Sequence, residues 1–258
     1  MKLGIVGLGN IGTIVLNHAI EQKMFDMVYV HDINKERVIS LGHSKIIQNL
    51  SLDDLIEKSD VIFESATKEA LAGILSNKNL DRKGKKLIVM SVSGLISNYD
   101  KIKKLKACKF ILPSGAIAGL DAIGSARGRI DSLQITTTKP LAGLEGAPFI
   151  IKNRIRLDKK RKQQVFSGSL KEAIEGFPQN INVAATLFLA SGFEDLNIKI
   201  ISDPKINVNR HEIVCEGSFG KIRTVTENLP SKNPRTSYLA ILSAIKALDS
   251  IEEKIVII

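Results

Sequence analysis

The sequence predicts an α/β chain: a doubly wound parallel sheet followed by a second, α+β domain whose sheet is largely antiparallel. Three observations predict it. Continuous apolar runs alternate with helical patterns over residues 1–112, the first of those runs enters a glycine-rich turn, and after Pro113 the runs become alternating. Continuous apolar strands between helices signify a parallel sheet covered on both faces, and alternating strands a sheet with one buried face.

Lys2-Leu3-Gly4-Ile5-Val6 is the first strand, and it feeds directly into Gly7-Leu8-Gly9-Asn10-Ile11-Gly12. Ile14, Val15, Ala19 and Ile20 give the following helix its apolar stripe, and Val28-Tyr29-Val30 is a second strand ending at Asp32, twenty residues beyond Gly12. Each piece has a physical role. Gly7 permits a tight turn, Gly9 lets backbone approach a pyrophosphate, and Gly12 lets helix and strand pack closely. The new helix offers its amides and positive dipole end to phosphates. Asp32 is placed to accept hydrogen bonds from an adenine ribose. A strand, this turn, a helix and a carboxylate in register form a Rossmann-type dinucleotide site. Asp32 favours NAD, because it would repel a 2′-phosphate; Lys35 and Arg37 lie close enough to keep NADP open.

The alternation continues. Asn34–Leu41 reads as a short helix closed by Gly42, and Ser51-Leu52-Asp53-Asp54 as a capping box opening a helix through Lys58. Asp60–Phe63 is a strand, Thr67–Ser76 a helix, Lys86–Val92 a strand, Ser97–Lys106 a basic amphipathic helix and Lys109–Leu112 a strand. Beyond Pro113, Gly115–Gly128 is small-residue-rich and reads as helical, Leu133–Thr138 as a β-branched strand, and Leu141–Phe149 as a glycine-rich loop. Val165–Gly168 is a strand, Ser169 with Glu172 a second capping box, and Asn182–Ala190 an apolar helix ended by Gly192. Asn197–Ser202, His211–Glu216 and Lys221–Thr226 suggest an antiparallel meander, Ser237–Leu248 an amphipathic helix, and Lys254–Ile258 a terminal strand. The expected domains are 1–112, completed by the C-terminal helical stretch 234–258, and 113–233.

Composition narrows the function classes. Hydrophobic content of 44% with 25% charged residues is that of a soluble globular chain, and no apolar run reaches membrane-spanning length. Met1 leads straight into a strand, without a signal-peptide layout. Two cysteines, Cys108 and Cys215, without metal-type spacing fit a reducing cytoplasm, read as small buried residues, and suggest no metal site. The net charge of +10 reads as solvated lysine-rich faces and as a field drawing in anions, such as a dinucleotide and a dicarboxylate. Nucleic acid is disfavoured: the chain has no Trp, three Tyr, and no aromatics interleaved with its basic runs.

A cofactor domain supplies no reaction, so the second half must supply acid/base groups. Its single histidine, His211, follows Asn207-Val208-Asn209-Arg210, a polar turn between apolar strands, and titrates near neutral pH when unperturbed. His18, His31 and His43 read as structural. Ser114-Gly115-Ala116 offers amides for an anion. Lys139 ends a strand as a cation that could meet a carboxylate, and Arg235, in Asn233-Pro234-Arg235-Thr236-Ser237, could grip one bidentately. Asn180 and Asn182 read equally well as helix caps.

Taken together these segments resemble the L-aspartate dehydrogenase family nearly end to end. The likeness is carried by Gly7–Gly12, by Pro113-Ser114-Gly115-Ala116-Ile117-Ala118-Gly119-Leu120-Asp121-Ala122 and by Thr137-Thr138-Lys139-Pro140. Phe177-Pro178-Gln179-Asn180-Ile181-Asn182-Val183-Ala184-Ala185, Asp203-Pro204, Asn209-Arg210-His211-Glu212-Ile213 and Asn233–Ser237 carry it further. Leu141 departs from it, standing where the family often has a second proline. The resemblance implies NAD(P)-dependent oxidation of L-aspartate to iminoaspartate, then oxaloacetate and ammonia, feeding de novo NAD biosynthesis, in a cytoplasmic homodimer. It also implies His211 as the catalytic residue and Ala116 and Asn182 as cofactor contacts, which join Gly7, Gly9, Asn10, Ile11, Gly12 and Asp32 of the dinucleotide motif. Lys139, Arg235 and Thr236 are the residues expected at the substrate carboxylates. Other readings on the same plan are a dihydrodipicolinate-reductase-like or homoserine-dehydrogenase-like enzyme, or a non-catalytic NAD-responsive binding protein.

Overall fold

A computed structural model of the protein describes residues 1–41, 47–178, 181–231 and 236–255. The chain divides into two compact units: Met1–Pro113 with a C-terminal stretch beginning at Ser243, and Ser114–Leu242.

The first unit is built on six parallel strands, β1 (Lys2–Val6), β2 (Met27–His31), β3 (Ile47–Asn49), β4 (Val61–Glu64), β5 (Lys86–Val89) and β6 (Lys109–Ile111). Their spatial order, β3-β2-β1-β4-β5-β6, is that of a doubly wound sheet. The helices are α1 (Asn10–Glu21), α2 (Lys35–Ile39), α3 (Leu52–Lys58), α4 (Lys68–Ser76), α5 (Ser93–Ser97) and α6 (Tyr99–Ile102). β4 is buried at every position, as a central parallel strand must be. Edge strand β3 escaped prediction because Ile47-Gln48-Asn49 is too short and polar to carry a pattern. The helix expected over Ser97–Lys106 is instead α5 and α6, broken at Asn98, whose side-chain amide donates to the Gly94 carbonyl (2.9 Å). At Ser51 the cap is present, its hydroxyl accepting from the Asp54 amide, but the Asp54 carboxylate accepts from the Ser51 hydroxyl (2.6 Å) rather than from the Ser51 amide.

The second unit carries β7 (Ile130–Lys139), β8 (Gln163–Gly168), β9 (Asn197–Ser202), β10 (Asn209–Gly217) and β11 (Gly220–Asn228), in the order β11-β10-β7-β9-β8. Its helices are α7 (Leu120–Ser125), α8 (Pro148–Lys152), α9 (Leu170–Gly176), α10 (Asn182–Ser191) and α11 (Tyr238–Asp249), the last continuing into the first unit. Three pairings are antiparallel and one, β7 with β9, is parallel. The expected meander is therefore only partly right: β9 and β10 are separated by β7, a pairing that side-chain alternation cannot reveal. Helix in the Gly115–Gly128 stretch is confined to α7, because Gly119 takes a left-handed conformation (φ +82°) and stops it extending backwards. The closing helix is shorter than 234–258: Ser237 bridges Pro230 before it begins, and Ser250–Ile255 are not helical. The expected terminal strand falls partly on 256–258, outside the described residues.

Each unit has its own core. In the first, Leu3, Ile5, Val15, Leu16, Phe63 and Ile88 are fully buried, and Ala244 and Leu248 of α11 join them. In the second, one sheet face turns inward through Leu133, Ile135, Ile198, Ile200, Ile213 and Cys215. Phe149, Phe166 and Phe177 pack beside it with ring centroids 5.2–5.5 Å apart.

Candidate active site

The turn after β1 is pinned to the end of β2. The Gly7 amide donates to the His31 carbonyl (2.8 Å) and the Leu8 amide to the Asp32 carboxylate (2.6 Å). Gly7 itself sits at φ +92°, where a side chain would be strained. A Cβ on Gly12 would lie 1.9 Å from the Gly7 carbonyl oxygen, so α1 can only approach β1 this closely with glycine there. Gly9 differs: a Cβ there would meet nothing within 4 Å. It precedes α1, whose N-terminus has neither a side-chain cap nor an acidic residue in its first turn. Twelve residues of helix thus aim their positive end past Gly9, where Asn10 and Ile11 open the helix, and this fits a pyrophosphate.

Asp32 accepts from Asn34 as well (2.7 Å), and Arg37 lies 3.4 Å from the same carboxylate. Burial opposes the charge on Asp32, but the Leu8 and Asn34 amides and the Arg37 guanidinium outweigh it and hold the carboxyl below its ordinary range. One residue sequence reading missed is Glu64, at the end of β4 and wholly buried. It accepts from the Ala66 amide and from the amide and hydroxyl of Ser91, tying together the turns after β4 and β5. Burial raises its pKa despite those bonds.

In the second unit the inward sheet face changes from apolar to polar at the end of β7. Thr137 pairs with Ile200 on β9 and with His211 on β10, and His211 pairs with Thr226 on β11. Lys139 pairs with Ser202, and one register step brings Asn209, itself paired with Asn228, alongside it. Directly opposed residues project to the same face. His211 and Lys139 therefore sit in adjacent rows, 4% exposed each. The Thr137 hydroxyl lies 3.0 Å from His211 Nδ1. Burial, reinforced by the Lys139 charge, drives the His211 pKa down to about 3, and burial alone lowers Lys139 to about 8. At neutral pH the pair is thus a neutral imidazole and a cation held at cost. The packing is tight: a Cβ on Gly143 would lie 3.4 Å from Lys139 Cδ.

Ala116 is fixed through its carbonyl, which accepts from the Thr226 hydroxyl (2.7 Å) and the Asn228 side-chain amide (2.9 Å). The amides of Ser114–Ala116 are in a turn rather than at the expected helix start. Gly115 there neighbours Val183, so Ala116 and Asn182, the first residue of α10, come from adjoining segments. α10 is preceded by Ile181 and has no side-chain cap, so Asn182 does not cap it. Thr236 contributes its carbonyl to the Ser231 amide, and the residue of its segment that reaches the polar face is Ser237, 3.3 Å from Asn209 Nδ2. Arg235, Asn180 and His43 lie outside the described residues. His18 pairs with Asp249 (2.7 Å) and His31 with the Leu50 carbonyl. Cys108 is half-buried rather than buried, and burial pushes its thiol up to about 11, far from a thiolate. Among the described residues no helix is long and apolar enough to cross a membrane.

Two family models match the chain: "Aspartate dehydrogenase, C-terminal" over residues 121–251, and "D-isomer specific 2-hydroxyacid dehydrogenase, NAD binding domain" over residues 1–108. An L-aspartate dehydrogenase of Methanosarcina mazei is 38% identical over 97% of both chains. One of Bradyrhizobium diazoefficiens is 36% identical over 96% of this chain and 90% of its own. Among solved structures, the aspartate dehydrogenase of Thermotoga maritima superposes with a TM-score of 0.77 at 27% identity, covering 100% of this chain and 99% of that one. Likeness in sequence and in fold therefore runs through both units, and the chain belongs to the L-aspartate dehydrogenase family.

Proposed function

We propose that the protein oxidises L-aspartate with NAD, giving iminoaspartate, which water converts to oxaloacetate and ammonia. The observation that carries this reading is the pairing, on one buried sheet face, of a neutral histidine with a lysine in the next row. Bound NAD supplies the hydride acceptor, nicotinamide C4, which needs the substrate Cα within about 3–3.5 Å. The turn of Gly7, Gly9 and Gly12, with Asn10 and Ile11, would hold the pyrophosphate, Asp32 the ribose, and Ala116 and Asn182 further parts of the cofactor. Lys139, with Arg235 and Thr236, would hold the carboxylates.

His211 then takes a proton, either from the substrate ammonium or from the water that attacks the imine. With Nδ1 engaged by Thr137, Nε2 is the nitrogen that receives it. Burial is the main cause of the His211 pKa of about 3, and the Lys139 charge the lesser one; a dicarboxylate bound at Lys139 offsets only the lesser part.

Asp32 supports NAD as the preferred cofactor, while Arg37 beside it gives a 2′-phosphate a partner, so both nucleotides belong in the assay. The reading extends to a cytoplasmic homodimer that supplies iminoaspartate to de novo NAD biosynthesis. The family resemblance supports the dimer and the pathway, and two unpaired cysteines are in keeping with a reducing compartment. A monomer in light scattering would remove the dimer.

Absorbance of NADH tests the reaction, with purified protein, NAD and L-aspartate, and with D-aspartate, L-glutamate, L-homoserine and NADP alongside. NADH from L-aspartate is the expected result. Turnover of L-homoserine instead, or nucleotide binding without turnover, would overturn it.

A further inference from the structure

The buried polar face holds more capacity than the chain itself uses. Among the described residues, the Ser202 hydroxyl and Asn209 Oδ1 are buried and have no hydrogen-bond partner. Exposure is 0% for Ser202 and 2% for Asn209. Such groups are rare, because an unmet buried hydrogen bond costs about 1–3 kcal/mol. These two are not scattered. Ser202 on β9 opposes Lys139 on β7, and the register carries Asn209 on β10 to the other side of Lys139. Opposed side chains on neighbouring strands stand about 4.5–5.5 Å apart, so the three form one row. The row continues to Asn228, whose amide is already given to the Ala116 carbonyl, and it lies next to the row holding His211.

The chemistry of the row is ordered. Ser202 offers a hydroxyl donor, Lys139 a cation, and Asn209 a carbonyl acceptor, its Nδ2 being directed to the Ser237 hydroxyl (3.3 Å). Donor and cation side by side suit a carboxylate, and an acceptor beyond them suits an ammonium.

We propose that Ser202 and Asn209 complete the substrate site, Ser202 with Lys139 taking a carboxylate of a small amino dicarboxylic acid and Asn209 Oδ1 accepting from its ammonium. The identity of that acid rests on the L-aspartate reading above; the split between the two residues does not. It also explains why two unmet polar atoms persist on this buried face: their partners arrive with the substrate.

The third unpartnered atom among the described residues, the Thr138 hydroxyl Oγ1, supplies the control. It is adjacent to Lys139 in sequence but on the opposite face of β7, paired with Ile201 and Arg210.

The test is calorimetric titration of L-aspartate and of succinate, which lacks the amine, into the protein with NADH present, for wild type, Ser202→Ala, Asn209→Ala and Thr138→Val. Ser202→Ala should weaken both ligands about tenfold while leaving the melting temperature unchanged or raised, since it removes an unmet polar group. Asn209→Ala should weaken L-aspartate about tenfold and succinate little. Thr138→Val should bind both as wild type does. Normal binding by Ser202→Ala with a lowered melting temperature would mean that a structural water uses the hydroxyl, and would overturn the proposal. Equal loss of both ligands in Asn209→Ala would overturn the ammonium assignment. Since binding is read directly, absence of turnover in wild type would refute the proposed reaction without touching this inference.

Discussion

Replacing Lys139 with methionine should make the protein more stable and less able to bind its substrate. Burial lowers the Lys139 pKa from 10.5 to about 8. At about 1.4 kcal/mol per pH unit, that fall corresponds to about 3 kcal/mol of lost stability at neutral pH. Methionine keeps most of the volume of a side chain that is 4% exposed and removes the charge. With imperfect repacking, a gain of about 1–3 kcal/mol remains, a rise of roughly 3–8 °C for a chain of this size. The sign follows from linkage. Below pH 8 the lysine is protonated in both states, and the folded state bears the whole cost. Between about 8 and 10.5 the folded protein sheds its proton first, so wild type gains stability as pH rises and the difference shrinks. Above 10.5 it should vanish. Circular dichroism melts of both proteins at pH 7, 9 and 10.5, with L-aspartate titrations at pH 7, measure all of this. A Lys139→Met variant that melts below wild type at pH 7 would refute the reasoning, since the ammonium would then be stabilised where it lies.

Three further outcomes are expected. His211, at about 3 in the folded protein against 6.5 ordinarily, refuses a proton that the unfolded chain accepts, so acid should erode stability from pH 6.5 downward. Between pH 6.5 and 4.5 this amounts to about 2 kcal/mol, seen as a urea midpoint that falls less in His211→Gln than in wild type. Gly9→Ala and Gly12→Ala should separate two roles. The first meets open space and should keep its melting temperature while losing NAD affinity, whereas the second meets the Gly7 carbonyl and should cost more than about 2 kcal/mol, read by melting and by NADH fluorescence titration. Asp32→Asn should weaken NAD about tenfold with little change for NADP, measured by the same titration; equal loss of both would argue that Asp32 only pins the Leu8 and Asn34 amides.

What could be read beforehand was what local pattern encodes. The Gly7–Gly12 turn, β1, α1 and β2 are contiguous, so their periodicity and spacing specify them without reference to the rest of the chain. Ser169 and Glu172 form the capping box their spacing suggests, for the same reason. The polar face is another matter. Lys139 and His211 are both conspicuous in sequence, yet Ser202, Asn209 and Thr137 gain their place only from the pairing of β7 with β9 and β10, across long loops. No window of sequence contains that register. Gly115–Gly128 misled in the opposite way, because its alanines suit a helix while Gly119 imposes a turn.

The last helix has a temporal consequence. Ala244, Ala247 and Leu248 of α11 pack into a core otherwise drawn from Met1–Pro113. During synthesis, at about 5–20 residues per second, the amino-terminal sheet must wait for more than a hundred further residues before that seam can close. The nucleotide-binding unit is therefore the first to be made and among the last to be finished. A ribosome that stalls anywhere before Ser243 leaves that core without Ala244, Ala247 and Leu248, so apolar surface meant for burial stays open in an incomplete chain.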